Sequence, residues 1–192
     1  MARFPVVTGV GLIAPTGYGV EQAWRAFEKL ESGLKPLSLF ASPRYGQVPA
    51  GEVRQDLSRL GAPKQGSRTD RLGWLAAAQA VVSARIDLAA SCDRAGIVLG
   101  GSVGGSYDSE RFLTHLIKRR KYWARPIRYH ECVSTVELIA EHFGLYGPAM
   151  TIATACSSGA LAIAIAAEMP FWSSSCAFAG TFSAQTSGTA DR

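Results

Sequence analysis

With 192 residues, the chain has room for one domain with a sizeable core, or for part of something larger. Hydrophobic residues make up 47% and charged residues 18%, alongside 20 glycines and 9 prolines, which excludes a disordered charged tail, a coiled coil and a collagen-like chain. Twenty Lys+Arg against 15 Asp+Glu leave a formal charge of +5, a balance that favours an acidic partner but is too diffuse to indicate nucleic acid without a motif.

Residues 6–10 form a short β-branched run ending in Gly9 and Gly11, which predicts a first strand. Over residues 20–30 the helical period puts Val20, Ala23, Trp24, Phe27 and Leu30 on one face, with Gly33 as the stop. Residues 34–64 are rich in Pro, Gly and Ser without a clear period and are expected to form surface excursions rather than core. The next helix is expected from Asp70 as its cap, with Leu72, Leu75, Ala76, Gln79 and Val82 along it. Residues 95–99 read as a buried strand closed by Gly100-Gly101-Ser102-Val103-Gly104-Gly105. A helix over residues 109–120 is expected to bury Phe112, Leu113, Leu116 and Ile117, and residues 136–143 support a short one. Residues 150–153 make a third strand, which runs through Thr154-Ala155-Cys156 into an Ala, Leu and Ile helix over 158–167.

Strands separated by helices predict an α/β fold with a parallel sheet and right-handed crossovers. Beyond Ala167 the character changes, since residues 169–176 have no helical or strand period and residues 183–192 are polar and turn-rich. The expected division is therefore a domain over residues 1–167 and an atypical tail over 168–192, for which a shifted reading frame would be one explanation.

Cys92, Cys132, Cys156 and Cys176 are well separated and form no C-x-x-C pair, so neither a zinc site nor a disulfide framework is legible, and a reducing cytoplasm is expected. The N-terminus does not read as a secretory signal. Residues 143–167 carry no charge and are long enough for a membrane span, but Gly144, Gly147 and Pro148 break the run near its start and Cys156-Ser157-Ser158-Gly159 breaks it again. A buried strand, a turn and a buried helix fit better.

Gly9-Val10-Gly11-Leu12-Ile13-Ala14 matches the dinucleotide pattern G-x-G-x-x-A. A phosphate site needs a helix to begin inside that pattern, and Pro15, Gly17 and Gly19 delay it, so a tight strand-end turn is the plainer reading. The second glycine cluster lacks Gly-Lys-Ser/Thr and is no P-loop; its plain reading is a loop packed closely under another element. Cys156, between a strand and a helix start, lies where free N–H groups and the helix dipole favour a thiolate, and Ser157, Ser158 and Gly159 keep the turn small enough for a substrate to approach. The alternative is a small buried hydrophobe among Ala, Ile and Thr.

Val6-Val7-Thr8-Gly9-Val10-Gly11-Leu12-Ile13-Ala14-Pro15-Thr16-Gly17 resembles the opening of β-ketoacyl-acyl-carrier-protein synthases, the condensing enzymes of fatty acid and polyketide synthesis. Arg68-Thr69-Asp70-Arg71 is similar to the family's Thr-Asp-Arg helix start, and Gly100 to Gly105 to its glycine loop. Phe143-Gly144-Leu145-Tyr146-Gly147-Pro148 followed by Thr154-Ala155-Cys156-Ser157-Ser158-Gly159 resembles its nucleophile segment. These motifs follow one another in family order.

The resemblance implies the N-terminal βαβ half of a thiolase-like layered fold, truncated, from a homo- or heterodimeric acyltransferase. It implies that Cys156 accepts an acyl chain, that its backbone N–H supplies half of an oxyanion hole, and that Val103 lines the acyl pocket. No bound cofactor is expected; the substrate would ride on the phosphopantetheine of an acyl carrier protein. Lys64, Arg68 and Arg125 fall near family docking positions, beside the basic stretch Lys118-Arg119-Arg120-Lys121 and Arg128. The histidines and lysine that serve decarboxylation belong to the family's C-terminal half, and none of those motifs occurs here. His115 and His142 read as helix-face residues and His130 as a loop residue. Without the second half, Ile163 and Ile165 are expected to join an exposed apolar patch. The isolated chain is thus expected to be inactive in condensation. Rival readings are a non-catalytic carrier-protein or subunit-binding fragment and a nucleotide-binding α/β domain; neither nucleic acid nor a membrane is expected as partner.

Overall fold

The computed structural model describes residues 5–40, 43–45, 47–90, 93, 95–119, 124–172 and 177–182. Two short pairings open the chain. Strand β1 (Ile13–Ala14) pairs antiparallel with β2 (Gly17–Tyr18), and helix α1 (Val20–Glu28) follows. Strand β3 (Leu34–Pro36) then pairs antiparallel with β4 (Pro49–Gly51). Next come α2 (Arg68–Ala84), β5 (Gly96–Gly101), α3 (Ser106–Arg119), α4 (Val133–Phe143), β6 (Ala149–Ile152), α5 (Ser158–Trp172) and β7 (Ala177–Phe182).

The core is a parallel sheet in the order β6-β5-β7, with Val98 of β5 opposite Met150 on one side and Ala179 on the other. Every residue of β5 is buried, as a strand covered on both faces requires. Alternation divides its side chains between two layers. Ile97 and Leu99 pack with Val136, Ile139 and Leu145 of the α4 side, while Val98 packs against Ala162 and Ala166 of α5. Gly100 on β5 allows α5 to lie close to the sheet: a Cβ there would come within 2.6 Å of the Ser158 carbonyl carbon.

Several expectations are corrected here. Residues 6–10 form no strand, and Val6 is 78% and Val7 81% exposed. Gly9 and Gly11 instead let this segment lie on α2, since a Cβ at Gly11 would come within 1.9 Å of the Ala76 carbonyl oxygen. That close packing accounts for the glycine spacing, and α1 begins only at Val20. The cap of α2 is Ser67, not Asp70: Ser67 Oγ accepts from the Asp70 amide at 3.1 Å while Asp70 Oδ2 accepts from the Ser67 amide at 2.7 Å, a capping box. The segment 34–64 contributes core after all, because Val53, Leu57 and Ala62 are buried with Leu75. Of the four apolar residues expected to be buried in α3, Phe112 is, while Leu113, Leu116 and Ile117 are exposed, since no described element covers that face. Helix α5 extends to Trp172, past Ala167 and into the segment that showed no period, and β7 adds a strand beyond that segment. No helix among the described residues is long and apolar enough to cross a membrane.

Candidate nucleophile site

Strand β6 points its end at the start of α5, and the link between them is a 3-10 turn over Ala155–Ser157 that carries Cys156. Ala155 takes a φ of +52°, a left-handed conformation that costs a non-glycine residue on the order of 1–3 kcal/mol and persists only where neighbours impose it. Hydrogen bonds lace the turn. Ser157 Oγ donates to the Thr154 carbonyl at 2.9 Å, and the Ser158 hydroxyl accepts from the Thr154 amide at 2.8 Å. The result is an exposed cysteine on a reversed turn, directly before a helix whose unsatisfied N–H groups face the same end.

The glycine loop after β5 lies under this turn and against the segment before α4. Gly101 O is 3.3 Å from Ser158 Oγ, and a Cβ on Gly104 would fall within 2.2 Å of the His130 carbonyl oxygen. This is the closely packed loop the glycines suggested. Val103, 41% exposed, lines a small cavity with Thr69, Leu99, Gly101, Cys132 and Thr135; Cys156 is not part of that lining. Burial pushes the Cys132 thiol up, a backbone hydrogen bond from Gly104 opposes the shift, and the charges of Glu131 and Asp70 add to it.

Asp70 organises the neighbourhood. Fully buried, it accepts from Ser134 Oγ at 2.8 Å and Thr135 Oγ1 at 2.6 Å as well as from the Ser67 amide, so one carboxylate ties α2 to α4. Thr69 beside it donates to the Gly104 carbonyl at 2.9 Å and fixes the glycine loop. Sequence reasoning had Asp70 as a cap and missed this role, because its partners lie 64 and 65 residues away.

Of the anticipated docking residues, Lys64 is exposed. Arg68 is half-buried and its guanidinium donates to the Val53 carbonyl; burial lowers its pKa, the neighbouring Arg71 lowers it further, and Glu52 opposes both. The Arg125 backbone opens a 3-10 turn, Arg125–Tyr129, while its side chain, like Arg120, Lys121, Cys92 and Cys176, lies outside the described residues. Each histidine has a partner of its own: His130 Nδ1 with Ser109 Oγ at 2.8 Å, His115 Nδ1 with the Arg111 carbonyl at 2.9 Å, and the His142 ring edge-on to Trp74.

Residues 5–190 match the family model "Beta-ketoacyl synthase, N-terminal domain". The chain belongs to the β-ketoacyl synthase family. Among β-ketoacyl synthases it is similar to 3-oxoacyl-acyl-carrier-protein synthase 2 of Vibrio harveyi, 27% identical over 176 residues, which are 87% of this chain and 42% of that protein. Its fold matches the ishigamide ketosynthase/chain length factor with a TM-score of 0.81 at 24% identity, over 92% of this chain and 46% of the other. It also matches a type II polyketide ketosynthase, bound to the hexaketide and in complex with its acyl-carrier protein, with a TM-score of 0.69 at 23% identity, over 92% of this chain and 49% of the other. The fold is the N-terminal half of the thiolase-like layered architecture. The chain spans about 42% of the length of the curated relatives it matches.

Proposed function

We propose that this β-ketoacyl synthase segment carries the acyl-accepting half of a decarboxylative condensation in fatty acid or polyketide synthesis. The single observation that carries the reading is the exposed Cys156 on a reversed turn between the central sheet and the start of α5. The Cys156 sulfur attacks the carbonyl carbon of an acyl thioester on the phosphopantetheine of an acyl carrier protein. A new carbon–sulfur bond forms, the bond to the phosphopantetheine sulfur breaks, and that sulfur leaves with the proton given up by Cys156. The Cys156 backbone N–H serves as one donor to the oxyanion of the tetrahedral intermediate.

Condensation follows when a malonyl carrier protein loses carbon dioxide and its carbanion attacks the acyl-cysteine carbonyl, expelling the Cys156 thiolate. The donors for that enolate belong to the family's other half, and the three histidines here are each engaged with another partner. This chain alone therefore self-acylates without condensing. Val103 lines the path of the acyl chain, Lys64, Arg68 and Arg125 receive the acidic carrier protein, and the functional unit is a cytoplasmic dimer. Mass spectrometry of the intact chain incubated with acyl carrier protein thioester tests this: one acyl adduct at Cys156, absent in Cys156→Ser, and no β-ketoacyl product when malonyl carrier protein is added. Turnover by the chain alone would overturn the division of labour. Absence of any adduct, with carrier binding retained, would favour the non-catalytic binding fragment instead.

A further inference from the structure

We infer that Ser158 is the positioning residue for the nucleophile, acting through the backbone of Thr154 and Ala155 rather than by touching substrate; this rests on the reading of Cys156 as the acyl acceptor. Its side chain is buried, at 1% exposure, and its oxygen is used from both directions. Ser158 Oγ accepts from the Thr154 amide at 2.8 Å and donates to the Ala155 carbonyl at 2.8 Å, with the Gly101 carbonyl 3.3 Å away as the alternative acceptor. One hydroxyl thus closes the turn around Cys156 and ties it to the end of β5. Those two bonds grip the Ala153–Thr154 and Ala155–Cys156 peptide units, which bracket Thr154 and Ala155, the latter held at a φ of +52°. A strained, non-glycine left-handed residue relaxes unless something over-determines it; Ser157 Oγ holds the Thr154 carbonyl on one side and Ser158, the buried member of the pair, holds the Ala155 carbonyl on the other. The brace has a fixed seat, because Gly100 leaves no room for its backbone to move inward: a Cβ there would lie 2.7 Å from the Gly159 nitrogen.

The test uses the full 192-residue chain and iodoacetamide, with Cys132 in the same molecule as the internal reference. Peptide mapping reads the alkylation rate at each thiol across pH. Ser158→Ala should slow Cys156 about tenfold, the factor carried by loss of one well-made hydrogen bond, and alter its pH profile while leaving Cys132 unchanged. Adding Ala155→Gly, which lets the same φ be adopted without strain, should restore most of the rate. An unchanged Cys156 rate in Ser158→Ala, or no recovery in the double variant, would overturn the brace. Should Ser158→Ala fail to fold, amide exchange on the wild-type chain decides: a protected Thr154 amide supports the brace and an unprotected one overturns it. A wild-type Cys156 that reacts no faster than Cys132 would instead count against the nucleophile reading, and Thr154 protection would still judge the brace separately.

Discussion

Helix α1 carries the cleaner apolar stripe of the first two helices, with Val20, Trp24 and Phe27 along one face and Leu30 just beyond its end, yet Trp24 is 58%, Phe27 68% and Leu30 87% exposed. Helix α2 is richer in alanine and less sharply sided, yet its Leu75 is buried with Val53, Leu57 and Ala62, its Ala76 lies under Gly11, and its Trp74, Ala77 and Val81 pack on the α4 side. Period tells which face of a helix would be buried if something covered it; the cover itself comes from elements far away in sequence. For α2 those elements are present among the described residues, and for the α1 stripe they are not.

The largest effect that could break this contrast is a pair of truncations. Leu75→Ala should cost about 3 kcal/mol in urea denaturation, because it empties a fully buried site between packed elements. Phe27→Ala should cost less than about 0.5 kcal/mol, since the ring is mostly in water and touches chiefly Trp24, stacked 5.8 Å away. Equal losses would mean that the α1 face is covered in solution. A smaller effect sharpens the same point. Trp24→Lys with Phe27→Lys should reduce binding of an apolar dye to the chain without lowering its melting midpoint, as expected for an apolar stripe that packs on nothing. On α5, Ile163 adds to such surface at 58% exposure, whereas Ile165 is half-buried against Val98, Ala162 and Ala166.

Much of the sheet and the nucleophile turn was legible because the signals are local. A short apolar run followed by glycines placed β5, and a strand running into Cys156 and a small-residue helix placed β6 and α5 within a few residues. What escaped was non-local. Ser67 is the N-cap of α2, and Asp70 at N3 completes the capping box while also accepting from Ser134 and Thr135 across the fold. Ser158 was read as a small turn residue, and only the structure brings Gly101 and Thr154 to its hydroxyl. The left-handed Ala155 has no glycine or asparagine to announce it, since neighbours impose the conformation rather than propensity. The half-burial of Arg68 escaped as well, because its partner, the Val53 carbonyl, is a backbone group that carries no side-chain signature.

Two carboxylates give the finest comparison, one in each kind of environment. Glu52 is buried, which alone would raise its pKa, but the Ser38 hydroxyl and the Ser38 and Leu39 amides donate to it and Arg54 sits 3.2 Å away, so the balance holds it below the ordinary carboxylate value. Its contribution to stability is therefore present above the unfolded pKa and is lost as pH falls through the folded one. Glu52→Gln should lower the melting midpoint at pH 7 and flatten the acid limb of the curve. Asp108, in the first turn of α3, runs the other way. Burial raises its pKa, Arg111 at 3.9 Å partly offsets this, and Asp70 raises it again. The folded state then binds the proton more readily than the unfolded one, so this group's contribution improves as pH falls through the folded pKa and is complete below the unfolded value. Asp108→Asn should raise the melting midpoint slightly at pH 7, and the advantage should shrink on acidification. A lower midpoint at pH 7 would show that the attraction of Arg111 and of the α3 N-terminus outweighs the burial of the charge.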